Sequence, residues 1–501
     1  MIDNAIRKQN IKSTGNKLII TGILLLGLFF RIHDLNVESL WPDEGIAIRL
    51  AHLDLSQIIK DRASSFCTPL YYIILHYWVS LFGDSEYSAR FLSAVFGFLA
   101  IFMAYKVGSL IFDRQVGILG SLILAMSVFH IYYSQEVRMY SLVTLLILVS
   151  FYFFIRFLGE TSYTVSIGYI ISSLLLIHTH YNVLPAIIAQ NTYFVMQFIL
   201  SEKTYNKPIV KRWGFIQGIL ILLLMPWLSI ASPGWIKKEL FRGESPFFRF
   251  MHWPLRSINI TAISLFKWSS GSVLLLILFL ILFSISVIDY ERLKESIVKK
   301  KSFWPPKINL WKTFLSHDSR VHLLLVWLSI PLILLPFYLS PLRYRPKYAI
   351  SASVAFYLLI AKGISNIKNK YAKPAVICVI IALSLVNIWR YYIEADNAQW
   401  IEAANYIDRH AEPGDLLLFL DSRQKYLFDY YSKNTGSIRK IYLKKKMNTA
   451  GYNRIWFLKG KPQISAEMAL DAYEVACHKV YSGRDNIMDQ TLEVYLFKKN
   501  R

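Results

Sequence analysis

Acid is scarce in this chain: 33 Asp and Glu stand against 56 Lys and Arg, a formal charge of +23. Cysteine is scarcer still. Cys67, Cys378 and Cys477 are too few for a disulfide framework, and they form no CxxC pair for metal or redox work. No RNA- or DNA-binding motif accompanies the positive charge, so no nucleic-acid partner is expected. Internal repeats and low-complexity tracts are absent as well. Leu18–Phe30 follows Arg7, Lys8, Lys12 and Lys17 as the core of a signal peptide would, but Arg31-Ile32-His33-Asp34 stands where a small-residue cleavage site belongs. That stretch therefore reads as an uncleaved first membrane helix.

What the chain does have is apolar length. Of its 501 residues 54% are hydrophobic and 15% aromatic, and mean hydropathy is +0.37. Apolar runs recur from Leu18 to Tyr391, the pattern of a polytopic membrane protein. The basic excess then has a plain role, since Lys and Arg gather in cytoplasmic loops and meet anionic lipid. Three loops qualify: Lys203 to Arg212, Arg292 to Lys312, and Lys362 to Lys373. With these and the N-terminus inside, Asp43, Glu136, His178, His180 and Pro341–Lys347 all fall outside.

Parity decides one segment. Thr68–Phe82 is apolar but only about 15 residues long, short of the ~20 a spanning helix needs. A crossing there would set the count from the N-terminus against the count from the 203–212 loop. It is expected to lie along the outer interface, beside a second interfacial helix over Asp43–Lys60. Elsewhere each apolar run, including Val116–Tyr133 and one within Ile258–Ile288, is taken as a crossing. The sum is about eleven.

Beyond Glu394 the character changes. Trp400, Ala403, Ala404 and Ile407 share a helical face, Glu412-Pro413-Gly414-Asp415 signals a turn, and Leu416–Leu420, Ile438–Leu443, Arg454–Leu458 and Leu492–Phe497 read as strands. The expected architecture is a polytopic α-helical membrane domain over 1–392 and a small extracytoplasmic α/β domain over 393–501.

The groups with chemical potential gather on one side. Asp43 and Glu44 stand where the chain has barely left lipid, a costly position for charge. Glu136, Arg138, Tyr140, His178, His180, Tyr181, Arg343, Arg345 and Lys347 join them there. Transfer of a sugar from a lipid phosphate needs a carboxylate to take a proton from the incoming hydroxyl, and cations to hold charge on the departing phosphate. Asp43, Glu44 and Glu136 fit the first need; Arg138, Arg343, Arg345 and Lys347, with Tyr140, His178, His180 and Tyr181, fit substrate or lipid-phosphate binding. Simpler readings compete: a helix N-terminal charge for Asp43, an ion pair for Glu136 and Arg138, hydrogen bonding for the histidines, snorkelling for the 343–347 cations. No cofactor is assigned from the sequence, and a divalent metal on His180 and Glu136 stays open.

Several stretches look familiar: SLWPDEGIAIRLA at 39–51, TPLYYIILHYWVSLFGDSEYSARFLSAVFG at 68–97 and HIYYSQEVRMYSL at 130–142. HTHY at 178–181, RYRPK at 343–347 and NAQWIEAANYID at 397–408, with PGD after it, match more loosely. The chain resembles the C-type-fold glycosyltransferases that use polyprenyl-phosphate sugars, especially the bacterial group similar to protein O-mannosyltransferases and lipid A aminoarabinose transferase. The resemblance implies Asp43 as base, with Glu136 assisting. It also implies a polyprenyl-phosphate sugar donor, a lipid, glycan or protein acceptor, membrane lipid around the chain, and an active site on the outer face of the cytoplasmic (inner) membrane. One departure is Phe66-Cys67-Thr68-Pro69, where close relatives carry His-Pro-Pro. The rival readings are a lipid-linked-sugar transporter or flippase, which predicts inverted repeats and broken helices that the sequence does not display, and a glycan polymerase or ligase.

Overall fold

A computed structural model describes residues 2–64, 68–160, 162–200, 207–240, 253–288, 318–338, 345–393, 399–433, 438–442, 451–459, 473–481, 484–485, 488–489 and 492–499. The chain is mostly helical, with a small sheet at its C-terminal end.

Helix α1 (Ile2–Ile32) leads to three short helices, α2 (Pro42–Ala51), α3 (Leu55–Ala63) and α4 (Leu70–Phe82). The single helix expected over Asp43–Lys60 is therefore two. Asp54 divides them, because its side chain and that of Gln57 close a capping box at the start of α3. At 13 residues α4 is about 20 Å long, too short for a ~30 Å hydrocarbon core. It packs on α2 and on the long α5 (Glu86–Ile111), burying Tyr71, Tyr72, Leu75 and Val79.

Helix α5 begins where Ser85 accepts from the Ser88 amide, and it pairs with α6 (Arg114–Met126). A Cβ on Gly108 would stand 2.9 Å from the Cα of Gly117, so the two backbones meet without side chains between them. The run expected as one crossing over Val116–Tyr133 breaks at Ser127 into α6 and α7 (Val128–Ser134), bent by 64°. Ser127 caps α7 by accepting from the His130 amide, while Arg31 donates to the carbonyls of Leu124 and Ala125 that the break leaves open. The break aims α7 at the loop carrying Glu136.

Helices α8 (Tyr140–Gly159), α9 (Tyr163–Ile177), α10 (Leu184–Leu200) and α11 (Lys207–Leu240) follow. A second break falls between α12 (Trp253–Trp268) and α13 (Val273–Val287), which meet at 107°. Ser270 and Gly271 turn the chain there with φ of +56° and +69°. Broken helices are thus present, contrary to the sequence expectation. Then come α14 (Ser319–Tyr338), α15 (Ile350–Asn366) and α16 (Ala372–Ile393). Helix α15 is the hub, buried from Ile350 to Ala361 against α6, α13 and α14.

Among the described residues, five helices are long and apolar enough to span a membrane, and seven spans result if each bent pair counts once. That makes the chain a multi-pass membrane protein.

The C-terminal unit runs α17 (Trp400–His410), β1 (Leu416–Phe419), α18 (Ser422–Tyr431), β2 (Arg439–Tyr442), β3 (Arg454–Lys459), β4 (Tyr473–Tyr481), a two-residue pair β5 and β6 (Arg484–Asp485, Met488–Asp489), and β7 (Leu492–Lys499). The five-stranded sheet has the order β2-β1-β3-β7-β4, parallel where β1 meets β2 and β3, and antiparallel from β3 outward. Leu417 and Phe419 face one core with Trp400, Ala403, Leu427 and Phe428. Leu416 and Leu418 face another with Ile455, Phe457 and Phe497. The first core runs on without a gap into the membrane helices.

Candidate active site

Pro42 starts α2, and the two acids of its first turn point to different fates. Glu44 is fully buried. Its Oε2 accepts from the Trp41 amide (3.1 Å) and from Arg90 Nη2 (2.9 Å), while Oε1 accepts from Arg90 Nε (3.0 Å) and the Val137 amide (2.8 Å). Arg90 also donates to the carbonyls of Leu35, Glu38 and Ser39. One buried pair therefore ties α5, the loop before α2 and the loop after α7 into one unit. Each Glu44 oxygen thus already accepts two hydrogen bonds inside the fold.

Asp43, one residue earlier, keeps its carboxylate partly open, with the side chain 29% exposed. Arg138 Nη2 lies 3.8 Å from Oδ2, and Arg138 Nη1 donates to the Asp43 carbonyl (3.4 Å) and the Tyr72 hydroxyl (3.2 Å). Burial alone would push the Asp43 carboxyl up; Arg138, Lys347, Arg423 and Arg62 outweigh it and hold the group below its usual range. A carboxylate kept ionised and reachable is what a base requires.

Glu136, in the loop after α7, is 5% exposed, and its Oε2 has no hydrogen-bond partner. Burial pushes its carboxyl up to about 7; Lys347 opposes the rise and Glu44 adds to it. Lys347 stands at the start of α15 in a 3₁₀ turn (Pro346–Ala349), its Nζ 4.8 Å from the centre of the Trp41 ring and 5.2 Å from that of Tyr140. Beside it a pocket opens among Tyr140, His180, Asn182, Lys347, Tyr348 and Ser351, where the Ser351 hydroxyl is buried without a partner.

The structure thus gathers Asp43, Glu136, Arg138, Tyr140 and Lys347, with His180 on the adjoining wall. Arg345 precedes the 3₁₀ turn and is partly exposed, and Arg343 lies outside the described residues. His178 bonds the Leu174 carbonyl through Nδ1, with its ring beside Trp227. Tyr181 accepts from the same indole (2.9 Å). Both turn toward α11 instead of toward Asp43.

A metal centre on His180 and Glu136 does not fit these residues. His180 Nδ1 accepts from the Asn182 amide, which in the neutral ring places the proton on Nε2 and leaves no lone pair for a cation. Among the described residues no three His, Cys, Asp or Glu come together as ligands.

Sequence reading missed Arg62, Tyr72, Arg90 and Arg423. Arg62 lies 4.7 Å over the Tyr72 ring and is pinned by Asp61. Arg423 comes from α18 in the C-terminal unit, its guanidinium held by Asp421 at 3.0 and 2.6 Å. Only Arg90 carried a signal, as a lone arginine near the start of an apolar helix.

Residues 67–230 match the model of the dolichyl-phosphate-mannose-protein mannosyltransferase family, a stretch that holds Glu136, Arg138 and Tyr140 and starts after Asp43. No curated protein matches the sequence. Among solved structures, ArnT from Cupriavidus metallidurans bound to undecaprenyl phosphate is similar over 96% of this chain and 98% of that one, at 12% identity and a TM-score of 0.53. Its apo form gives 0.51, at 12% identity over 97% and 98%. The Archaeoglobus fulgidus oligosaccharyltransferase AglB, in complex with an inhibitory peptide and a dolichol-phosphate, gives 0.50 at 13% identity, over 85% of this chain and 60% of that one. At such identities the structural likeness is one of fold. Residues 67–230 thus carry the sequence pattern of that mannosyltransferase family, and the chain as a whole carries the fold seen in ArnT and AglB.

Proposed function

We propose that the protein transfers a hexosyl or pentosyl group from a polyprenyl phosphate to a hydroxyl acceptor at the outer face of the cytoplasmic (inner) membrane. The observation that carries this reading is the Asp43 carboxylate, open and ionised within a ring of cations, while its neighbour Glu44 is wholly committed to structure. The acceptor oxygen attacks the anomeric carbon as its proton passes to Asp43. The bond from that carbon to the phosphate oxygen breaks, and the polyprenyl phosphate departs as an anion. Lys347 and Arg138 stand where that charge develops, with Arg343 and Arg345 on the same stretch as Lys347. Glu136 assists from below, and Tyr140 and His180 wall the adjoining pocket. The undecaprenyl phosphate bound to ArnT and the dolichol-phosphate bound to AglB support a carrier of this class. Protein, lipid A and glycan all remain acceptors compatible with the site.

The membrane domain of this reading spans 1–392, and the extracytoplasmic domain spans 393–501. Eleven crossings result when α1, α9, α10 and α14 join the five long helices and the two bent pairs. Asp43, Glu136 and the C-terminal domain then share one side.

The purified protein in detergent is expected to release sugar from a polyprenyl-phosphate donor only when a hydroxyl acceptor is present. Movement of an intact lipid-linked sugar across a vesicle membrane, with no release, would make it a flippase instead. Sidedness has its own test. Ser64 and Ser85 are both exposed, in the segment expected outside. Ser64→Cys and Ser85→Cys should each react with an impermeant thiol reagent added to intact cells; reaction of either from the cytoplasmic side alone sinks the arrangement.

A further inference from the structure

We propose that the C-terminal domain is part of the catalytic apparatus: its helix α18 docks on α2 and fixes the turn carrying Asp43, with Leu427 and Tyr431 as the positioning residues. The inference rests on Asp43 being the base.

The docking is dense and specific. The Tyr431 hydroxyl accepts from the Leu40 amide (2.6 Å) and donates to the Glu86 carboxylate, so it joins the loop before α2 to the start of α5. The Tyr430 hydroxyl donates to the Asp84 carbonyl (2.9 Å). The Arg49 guanidinium lies 4.8 Å over the Tyr426 ring, and the Ile401 amide donates to the Ser39 hydroxyl (3.3 Å). Residues 39–49 are thus gripped on both sides of Asp43 by side chains and backbone from beyond residue 400.

Gly45 shows how closely the surfaces meet. A Cβ there would stand 2.8 Å from Leu427 Cδ2 and 3.0 Å from Leu427 Cγ, and Leu427 is fully buried. Glycine is a poor helix former, so its place in the first turns of α2 is explained by the neighbour and not by the helix. A loose cap over a preformed site would leave room at this position.

The experiment uses the full chain in detergent and a wild type with verified sugar release. Gly45→Ala favours the helix by propensity and is expected to lower kcat by about 10-fold, within the range that misplacement of a reacting group produces, with donor KM within about twofold. Tyr431→Phe removes the hydroxyl that joins the Leu40 amide to Glu86 and is expected to lower kcat likewise, with donor KM within about twofold. Wild-type turnover in Gly45→Ala or in Tyr431→Phe overturns the inference. An active Asp43→Asn enzyme would overturn the assignment of the base instead, so the two failures are distinguishable.

Discussion

Asp43→Asn is expected to lower sugar transfer by about 10²–10⁴-fold, the range for losing a general base, while the protein inserts and folds as before. The fold asks little of this carboxylate. Its ion pair with Arg138 is long, 3.8 Å, and Arg138 also holds the Asp43 carbonyl and the Tyr72 hydroxyl, neither of which the substitution touches. An amide of the same shape keeps the first turn of α2 and loses only the proton acceptor. The check is initial rate with a defined polyprenyl-phosphate donor, alongside a melting curve. Near wild-type transfer would show that the base lies elsewhere.

The pH profile separates Asp43 from Glu136. Asp43 is held below the ordinary carboxylate range, so it is ionised at every pH above that range and contributes no break near neutrality. Glu136, pushed up to about 7 by burial, is protonated below that pH and charged above it. A break in the wild-type rate near pH 7 is therefore expected to belong to Glu136 and to vanish in Glu136→Gln. Persistence of the break in that variant would assign it to another group.

How much of this was legible beforehand differs residue by residue. The adjacent acids at 43 and 44 were visible because charge at a membrane edge is costly. Their division of labour was not, since it depends on Arg90, which reaches Glu44 only because α5 returns past the start of α2. Apolar runs gave the positions of the long helices, because burial in lipid and burial in protein both select apolar side chains. Ser127 lies between apolar segments on either side, so hydropathy ran straight through the break; the clue at the second break was the Ser-Ser-Gly-Ser run at 269–272. Arg62 and Arg423 look like ordinary surface cations on short helices. Only the docking of α3 and α18 brings them to Asp43, and long-range docking leaves no periodicity to read. His178 and His180 show the same limit: two residues apart, one lines the pocket and the other turns to Trp227.

Glu44→Gln is expected to behave as the opposite of Asp43→Asn. The substitution leaves the Arg90 guanidinium, 3% exposed, without its counter-charge, and an unpaired buried charge costs about 3–5 kcal/mol. The measurable result is a large fall in folded yield and melting temperature. Replacing both partners by apolar residues is often harmless for a simple buried pair. It should fail here. Arg90 also serves the carbonyls of Leu35, Glu38 and Ser39, and Glu44 also serves the amides of Trp41 and Val137. Glu44→Met with Arg90→Met would strand these backbone groups, and each buried polar group left unpaired costs about 1–3 kcal/mol. The double variant should therefore remain destabilised relative to wild type. If Glu44→Gln instead melts with the wild type and loses only turnover, Glu44 acts in the chemistry, and the assignment of Asp43 as the single base at this turn is wrong.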